Sequence, residues 1–125
     1  MTGSRRGFTL IELLVVMAII GTLLTIAVPR YFRSLQRSKE AVLQQDLSSL
    51  RESIDKFYGD TGKFPPTLLA LVERHYLRAI PVDPIARSAE KWIVVLSEDP
   101  EDAGVKDVKS GAEGAGENGV PYVAW

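Results

Sequence analysis

The chain has 125 residues, which is enough for one small domain beside any long apolar segment. Its 15 Lys and Arg nearly balance 16 Asp and Glu, and it has no basic run interleaved with aromatic residues, which argues against nucleic acid as a partner. Because there is no cysteine, disulfide bonds, thiolate metal sites and thiol catalysis are excluded. The fold must therefore be stabilised mainly by packing.

The chain opens with a short polar and basic stretch, residues 1–7, followed by an apolar stretch, residues 8–28. A helix over the apolar stretch would be about 31 Å long, which matches the hydrocarbon thickness of a bilayer. The alternative is a cleavable secretory signal, but such signals have a shorter apolar run of about 7 to 15 residues, and Thr25-Ile26-Ala27 is a poor cleavage site. We therefore predict a membrane-spanning helix that is retained in the mature protein.

The same helix is predicted to continue beyond the apolar stretch, because apolar residues recur at spacings of three and four with polar residues between them. Pro29 is expected to bend the helix, and Gly59 is expected to end it after Tyr58. Glu52 and Lys56 stand in the favourable order for an ion pair along a helix. The apolar face of this second half comprises Leu43, Leu47, Leu50, Ile54 and Phe57.

The rest of the chain predicts a small domain that contains both helix and sheet. Residues 60–66 have the composition of a loop, after which Thr67 can cap a short helix over residues 68–75. Residues 92–96 predict a strand and residues 104–108 a weaker one. A sheet this small and this poor in apolar residues cannot stand alone, so we expect it to pack on the amphipathic half of the long helix.

Glu12 is the most informative residue, because it places a carboxylate inside an otherwise apolar helix. Such a group costs about 2.5 to 3.5 kcal/mol at the centre of a membrane helix, and less near an end. Cleavage between Gly7 and Phe8 would create an α-amino group four residues before Glu12 on the same helical face. The two charges can then neutralise each other, within one chain or between neighbouring chains. The alternative is a capping box formed by Thr9 and Glu12.

Residues 6–16, Arg-Gly-Phe-Thr-Leu-Ile-Glu-Leu-Leu-Val-Val, resemble the class III signal of type IV pilins and pseudopilins. The resemblance implies that a prepilin peptidase cuts after Gly7 and methylates the amino group of Phe8. It also implies that Glu12 aligns subunits and that Pro29 corresponds to a helix-bending proline. The resemblance extends to the major pseudopilin of type II secretion systems through Gly62-Lys63-Phe64-Pro65, Tyr76-Leu77-Arg78, Pro81-Val82-Asp83-Pro84 and the Gly-rich segment that ends in Trp125.

The resemblance implies an α+β pilin fold, with residues 1–7 as the leader peptide, 8–28 as the transmembrane and filament-core helix, and 29–125 as the periplasmic domain. It implies a single-pass inner-membrane precursor that assembles into a helical homo-oligomer, the pseudopilus. The implied partners are the prepilin peptidase, minor pseudopilins, an inner-membrane assembly platform with a separate ATPase, and membrane lipid. The count of basic residues opposes this orientation, since Arg5 and Arg6 precede the apolar stretch whereas four follow it: Arg30, Arg33, Arg37 and Lys39.

Calcium is a further implication of the resemblance, because major pseudopilins often bind calcium in the C-terminal loop. This loop offers oxygen donors of the kind that a hard cation binds, but the spacing of its acids departs from the expected pattern. We therefore assign no residue as a metal ligand, and the alternative is a solvated loop. The candidate donors are Asp107, Ser110, Glu113, Glu117 and Asn118.

Nothing in the sequence predicts a catalytic or cofactor-binding residue. Residues 114–119 fit G-x-G-x-x-G but precede no predicted helix, so they predict a loop and not a dinucleotide site. His75 is the only histidine, and no nucleophile is placed for it to activate. We expect a structural subunit. The alternatives are a type IV pilus subunit for adhesion, motility or DNA uptake, a membrane-anchored periplasmic binding module that does not polymerise, and a membrane-tethered enzyme.

Overall fold

The computed structural model describes residues 7–125, so the predicted leader lies outside the described residues except for Gly7. The contacts divide the chain into two compact units, one extending to Gln36 and the other running from Arg37 to Trp125. The architecture is α+β, as predicted. Its elements are α1 (Leu10–Thr61), α2 (Leu68–Glu73), β1 (Ile93–Leu96), β2 (Val105–Lys109) and a final 3-10 turn (Tyr122–Ala124).

The N-terminal unit is formed by the first part of α1. Thr9 caps this helix, because its Oγ1 accepts a hydrogen bond of 3.1 Å from the Glu12 N–H. The helix therefore begins at Leu10, two residues later than predicted from Phe8. Within residues 7–125, α1 is the helix that is long and apolar enough to cross a membrane.

Two threonines in this apolar part of α1 satisfy their hydroxyl groups within the helix. Thr22 Oγ1 donates to the Ala18 carbonyl oxygen and Thr25 Oγ1 donates to that of Gly21, both at 2.8 Å. A hydroxyl bonded one turn back needs neither water nor a neighbouring polar group, so both side chains are compatible with a lipid environment.

The C-terminal end of α1 corrects the predicted stop at Gly59. The helix continues through that residue, and Gly62 instead takes the left-handed conformation, with φ of +73°. Thr61 supports the extra turn, because its hydroxyl donates to the Phe57 carbonyl oxygen at 2.8 Å. The Gly62 N–H closes the end by donating to the Tyr58 carbonyl oxygen at 2.8 Å.

The core of the C-terminal unit is built on the amphipathic part of α1, as predicted. All five residues of the predicted apolar face are buried, and Leu43, Leu50 and Ile54 are completely inaccessible to solvent. The other buried apolar residues come from the segments packed on this face: Leu68, Leu71, Trp92, Val105, Val108, Ala112 and Tyr122. Burial of this apolar surface is the main source of stability for the unit.

The strands β1 and β2 form an antiparallel pair, within one residue of the predicted bounds. The register pairs Ile93 with Lys109 and Leu96 with Val105, with an irregularity between Val95 and Leu96. Strand β2 supplies Val105 and Val108 to the core, whereas most of β1 is exposed.

The short helix α2 begins as predicted, because Thr67 Oγ1 accepts a hydrogen bond of 3.2 Å from the Ala70 N–H. It ends at Glu73, two residues earlier than predicted. His75, which was expected to lie inside the helix, has a φ of +65°, and this left-handed conformation is incompatible with a continuing helix. Its side chain is exposed and belongs to the turn after the helix.

Candidate processing and assembly site

The predicted processing residues lie just before the start of α1. Gly7, Phe8, Thr9 and Glu12 line one surface depression, and Phe8 is 90% exposed. The backbone of residues 7–9 is not helical. A peptide bond in exposed, irregular backbone is accessible to a protease, whereas one inside a helix is not. The structure therefore places Gly7, Phe8 and Glu12 together at an accessible end of the helix.

Glu12 forms one half of the alternative capping box. Its backbone N–H donates to Thr9 Oγ1, but its carboxylate has no hydrogen bond or ion pair with any other residue between 7 and 125. The exposed carboxylate is therefore available to a partner outside this part of the chain. Capping by Thr9 and pairing of the Glu12 side chain are thus compatible with each other.

The surface around Glu12 is apolar on every side of the helix. Residues 7–35 are all exposed, including Leu10 at 74% and Met17 at 60%. A helix that is apolar all round is normally buried in a membrane or in a bundle of helices. This part of α1 thus requires lipid or neighbouring chains to cover it.

The candidate calcium donors are distributed among separate contacts. Asp107 Oδ1 accepts from Arg51 Nε at 2.9 Å, and Glu117 Oε2 accepts from Arg37 Nε at the same distance. Ser110 Oγ donates to Asp83. Within residues 7–125, no group of three His, Cys, Asp or Glu side chains is arranged to hold a metal ion. Since calcium takes six to eight oxygen ligands, these donors do not fit it.

The remaining candidates, Glu113 and Asn118, are exposed in the same segment, and Asn118 lies in a turn. Asn118 Oδ1 accepts from the Val120 N–H at 3.1 Å, which stabilises the turn itself. Positive φ angles at Gly114 and Gly119 confirm that the G-x-G-x-x-G match forms a loop.

Sequence reasoning missed Glu40 and Arg51, which connect α1 to the C-terminal segment. Glu40 Oε1 accepts from Tyr122 Oη at 2.8 Å and from the Glu117 N–H at 3.2 Å. Arg51 Nη2 donates to the backbone oxygens of Val108, at 3.0 Å, and of Trp125, at 2.7 Å. The partners lie 57 to 82 residues apart in the chain, so no local pattern marks them.

A second missed feature is the fully buried carboxylate of Asp83. It accepts hydrogen bonds from the Ile85 and Ala86 N–H groups and from Ser110 Oγ. Its charge also acts on a neighbour: burial, and then the negative charge of Asp83, raise the pKa of the half-buried Asp46 carboxyl. Asp83 thus organises a turn and is not free for chemistry.

Comparison with known proteins connects both units to one family. Residues 3–28 match the family model described as the prokaryotic N-terminal methylation motif. The type II secretion system core protein G of Klebsiella michiganensis is 27% identical over 124 residues, which cover 94% of this chain and 87% of that protein. Its counterpart in Pseudomonas aeruginosa is 32% identical, over 65% of this chain and 68% of that protein.

A type IV pilin is similar over a shorter part of the chain. The type IV major pilin protein PilA of Myxococcus xanthus is 39% identical over 59 residues, which cover 47% of this chain and 27% of the pilin. No solved structure matches the chain significantly.

The methylation motif, the exposed apolar helix and the small sheet define a pilin-like, membrane-anchored structural subunit. Within that class, the chain belongs to the family of type II secretion system core protein G, the major pseudopilin. Membership confirms the resemblance found in the sequence. It also confirms that the chain is not an enzyme, because the family consists of structural subunits.

Proposed function

We propose that this protein is the main building subunit of the pseudopilus of a type II secretion system, a helical filament of many copies. The observation that supports this most strongly is the match to a core protein G along 94% of the chain. A match limited to the methylation motif would fit any pilin-like protein. The longer match necessarily includes most of the C-terminal unit.

Maturation is the first step of the proposed function. A prepilin peptidase cuts the bond between Gly7 and Phe8 and methylates the new amino group of Phe8. The exposed, non-helical backbone at this bond supports the assignment. Residues 1–7 are then lost, and residues 8–28 remain as the transmembrane and filament-core helix.

Assembly follows from the physical chemistry of Glu12. An unpaired carboxylate among apolar helices costs about 2.5 to 3.5 kcal/mol, so the bundle favours the axial position at which Glu12 meets a positive charge. The free amino group of Phe8 in a neighbouring copy supplies that charge. Because such a contact is head-to-tail and does not close on itself, repeated addition produces a filament and not a ring.

In this proposal, the precursor spans the inner membrane once, with residues 29–125 in the periplasm. Arg30 and Arg33 follow the apolar stretch and are exposed, which suits contact with the phosphate groups of lipids. The proposed protein partners are the prepilin peptidase, minor pseudopilins and the inner-membrane assembly platform. A cytoplasmic ATPase supplies the energy of assembly.

Mass spectrometry of the purified mature protein tests the maturation step. The expected mature chain begins at Phe8 and carries one extra methyl group. A chain that retains Met1, or one that begins at Val28, would contradict the proposed processing.

Substitution of Glu12 tests the assembly step. Glu12→Gln is expected to abolish filaments that can be sheared from cells and to abolish secretion, while the protein still accumulates in the membrane. The matched control is Glu73→Gln, which removes the same charge from an exposed position at the end of α2. Filament yield that is unchanged by Glu12→Gln would refute the role of this carboxylate.

A type IV pilus subunit is the second candidate function, favoured by the 39% identity to the Myxococcus pilin. Deletion of the gene distinguishes the two functions. Loss of secreted proteins from the medium supports the pseudopilus, whereas loss of surface fibres with normal secretion supports the pilus. A membrane-anchored binding module that does not polymerise predicts that Glu12→Ala has no effect on function.

A further inference from the structure

The guanidinium group of Arg51 lies at the centre of three oxygen atoms from the C-terminal part of the chain. Arg51 Nε donates to Asp107 Oδ1 at 2.9 Å, and Nη2 donates to the backbone oxygens of Val108 at 3.0 Å and Trp125 at 2.7 Å. The side chain is 38% exposed, so the group is only partly hydrated. One cation on α1 therefore binds both β2 and the last turn of the described chain.

Glu40 makes a second connection, three turns earlier on α1. Its Oε1 accepts from Tyr122 Oη and from the backbone N–H of Glu117, and Arg37 binds the Glu117 carboxylate. Three polar side chains of the helix, Arg37, Glu40 and Arg51, thus bind residues 105–125 at two separate places.

The C-terminal loop lies so close to Glu40 and Trp125 that there is little space for a side chain at Gly116. A Cβ added to Gly116 would lie 2.5 Å from the Trp125 ring and 3.3 Å from Glu40 Oε1, so a larger residue there would displace the Trp125 ring. The rings of Tyr122 and Trp125 pack edge to face with centroids 5.1 Å apart. The segment is therefore packed against α1 as well as hydrogen-bonded to it.

We propose that Arg51, together with Glu40, holds the C-terminal segment on α1 in place of a divalent cation, and that this protein folds without calcium. The oxygens that surround Arg51 are a carboxylate and two backbone oxygens, which are also typical ligands of calcium. A guanidinium with its donors in a fixed fork satisfies them directly. Calcium beside Arg51 would meet an adjacent positive charge and would compete for a carboxylate that is already paired.

Thermal unfolding of the full-length protein in detergent, followed by tryptophan fluorescence, tests the proposal. The unfolding temperature is expected to be the same in excess EGTA and in millimolar CaCl2. A calcium site filled at about 100 times its dissociation constant would raise that temperature by about 10 °C or more in a domain of this size. A rise of that order would overturn the proposal, whether or not the protein forms filaments.

Variants of Arg51 test the role of the guanidinium. Arg51→Met keeps an unbranched side chain but removes the charge, and it is expected to lower the unfolding temperature and to speed cleavage by trypsin after Lys106 and Lys109 at least tenfold. The matched control is Arg78→Met. Arg78 is exposed, and its side chain makes no hydrogen bond or ion pair within residues 7–125. Cleavage of Arg51→Met at the unmodified rate would overturn the proposal.

Two variants of Glu40 separate hydrogen bonding from charge. Glu40→Gln keeps an oxygen that can accept from both Tyr122 and Glu117, so proteolysis is expected to remain slow. Glu40→Ala removes the acceptor, and faster proteolysis is expected. Equal rates for Glu40→Ala and the unmodified protein would contradict the role assigned to this side chain.

Discussion

Replacing Asp83 by alanine removes a carboxylate that is fully buried and has hydrogen-bond donors at both oxygens. Oδ1 accepts from the backbone N–H of Ile85 at 2.9 Å and of Ala86 at 3.0 Å. Oδ2 accepts from the hydroxyl of Ser110 at 2.5 Å, and Ser110 is also buried. The substitution therefore leaves three donors without this acceptor and a cavity in place of the carboxylate.

The cost follows from the number of donors that lose their partner. Each buried donor left unpaired costs about 1 to 3 kcal/mol, and water can reach part of the turn at Ile85 and Ala86, which are only half-buried. We therefore expect Asp83→Ala to lower the free energy of unfolding by about 3 to 4 kcal/mol. A domain of about 90 residues has about 5 to 13 kcal/mol in total, so the loss is a large fraction.

Denaturant unfolding of the full-length protein in detergent measures this loss. Trp92 is a suitable probe, because its indole N–H donates to the Pro81 carbonyl oxygen at 2.8 Å, two residues before Asp83. Asp83→Asn keeps an acceptor for the two backbone N–H groups and should cost only about 1 to 2 kcal/mol. The control Asp55→Asn is exposed on α1 and should change stability by less than about 0.5 kcal/mol.

The test compares the loss in free energy of unfolding among the three variants, which should be largest for Asp83→Ala, smaller for Asp83→Asn and smallest for Asp55→Asn. A loss of less than about 1 kcal/mol for Asp83→Ala, or equal losses for the alanine and asparagine variants, would refute the assignment of Asp83 as the acceptor that organises the turn.

Two further predictions concern the glycines at the end of α1 and the acid next to Asp83. Gly59→Ala should stabilise the protein by about 0.5 to 1 kcal/mol, because the helix has open space there, whereas Gly62→Ala should destabilise it by about 1 kcal/mol because φ is +73°. Denaturation midpoints that shift in the same direction would contradict this. The raised pKa of Asp46 means that the folded state binds its proton more tightly than the unfolded state, so stability falls as pH rises from 3.8 through the folded-state pKa. Asp46→Asn should therefore raise the unfolding temperature at neutral pH but not well below pH 3.8, and an equal gain at both would refute it.

Local patterns predicted the helices and strands well, because their causes lie within a few residues of each other. The spacing of Leu43, Leu47 and Leu50 identified the face of α1 that carries the core, and Thr67 identified the start of α2. The motif around Gly7 and Phe8 is equally local, so the sequence alone predicts the class of protein.

The end of α1 shows where local reasoning stops. Gly59 and Gly62 are both suitable helix terminators, and the sequence does not rank them. The choice depends on Thr61, whose hydroxyl donates to the Phe57 carbonyl oxygen and also contacts the Lys63 carbonyl oxygen at 2.9 Å, which keeps the chain helical for one more turn.

An apolar helix with one acid, followed by a small domain on its amphipathic half, is already evident from the residue pattern. The contacts that hold the C-terminal segment are visible only in the folded chain. Asp107 and Glu117 resemble members of one cation site because they are close in sequence, yet each pairs with a different arginine of α1. Hydrogen bonds and ion pairs act over a few ångströms, so partners separated by tens of residues become visible only when the chain is folded.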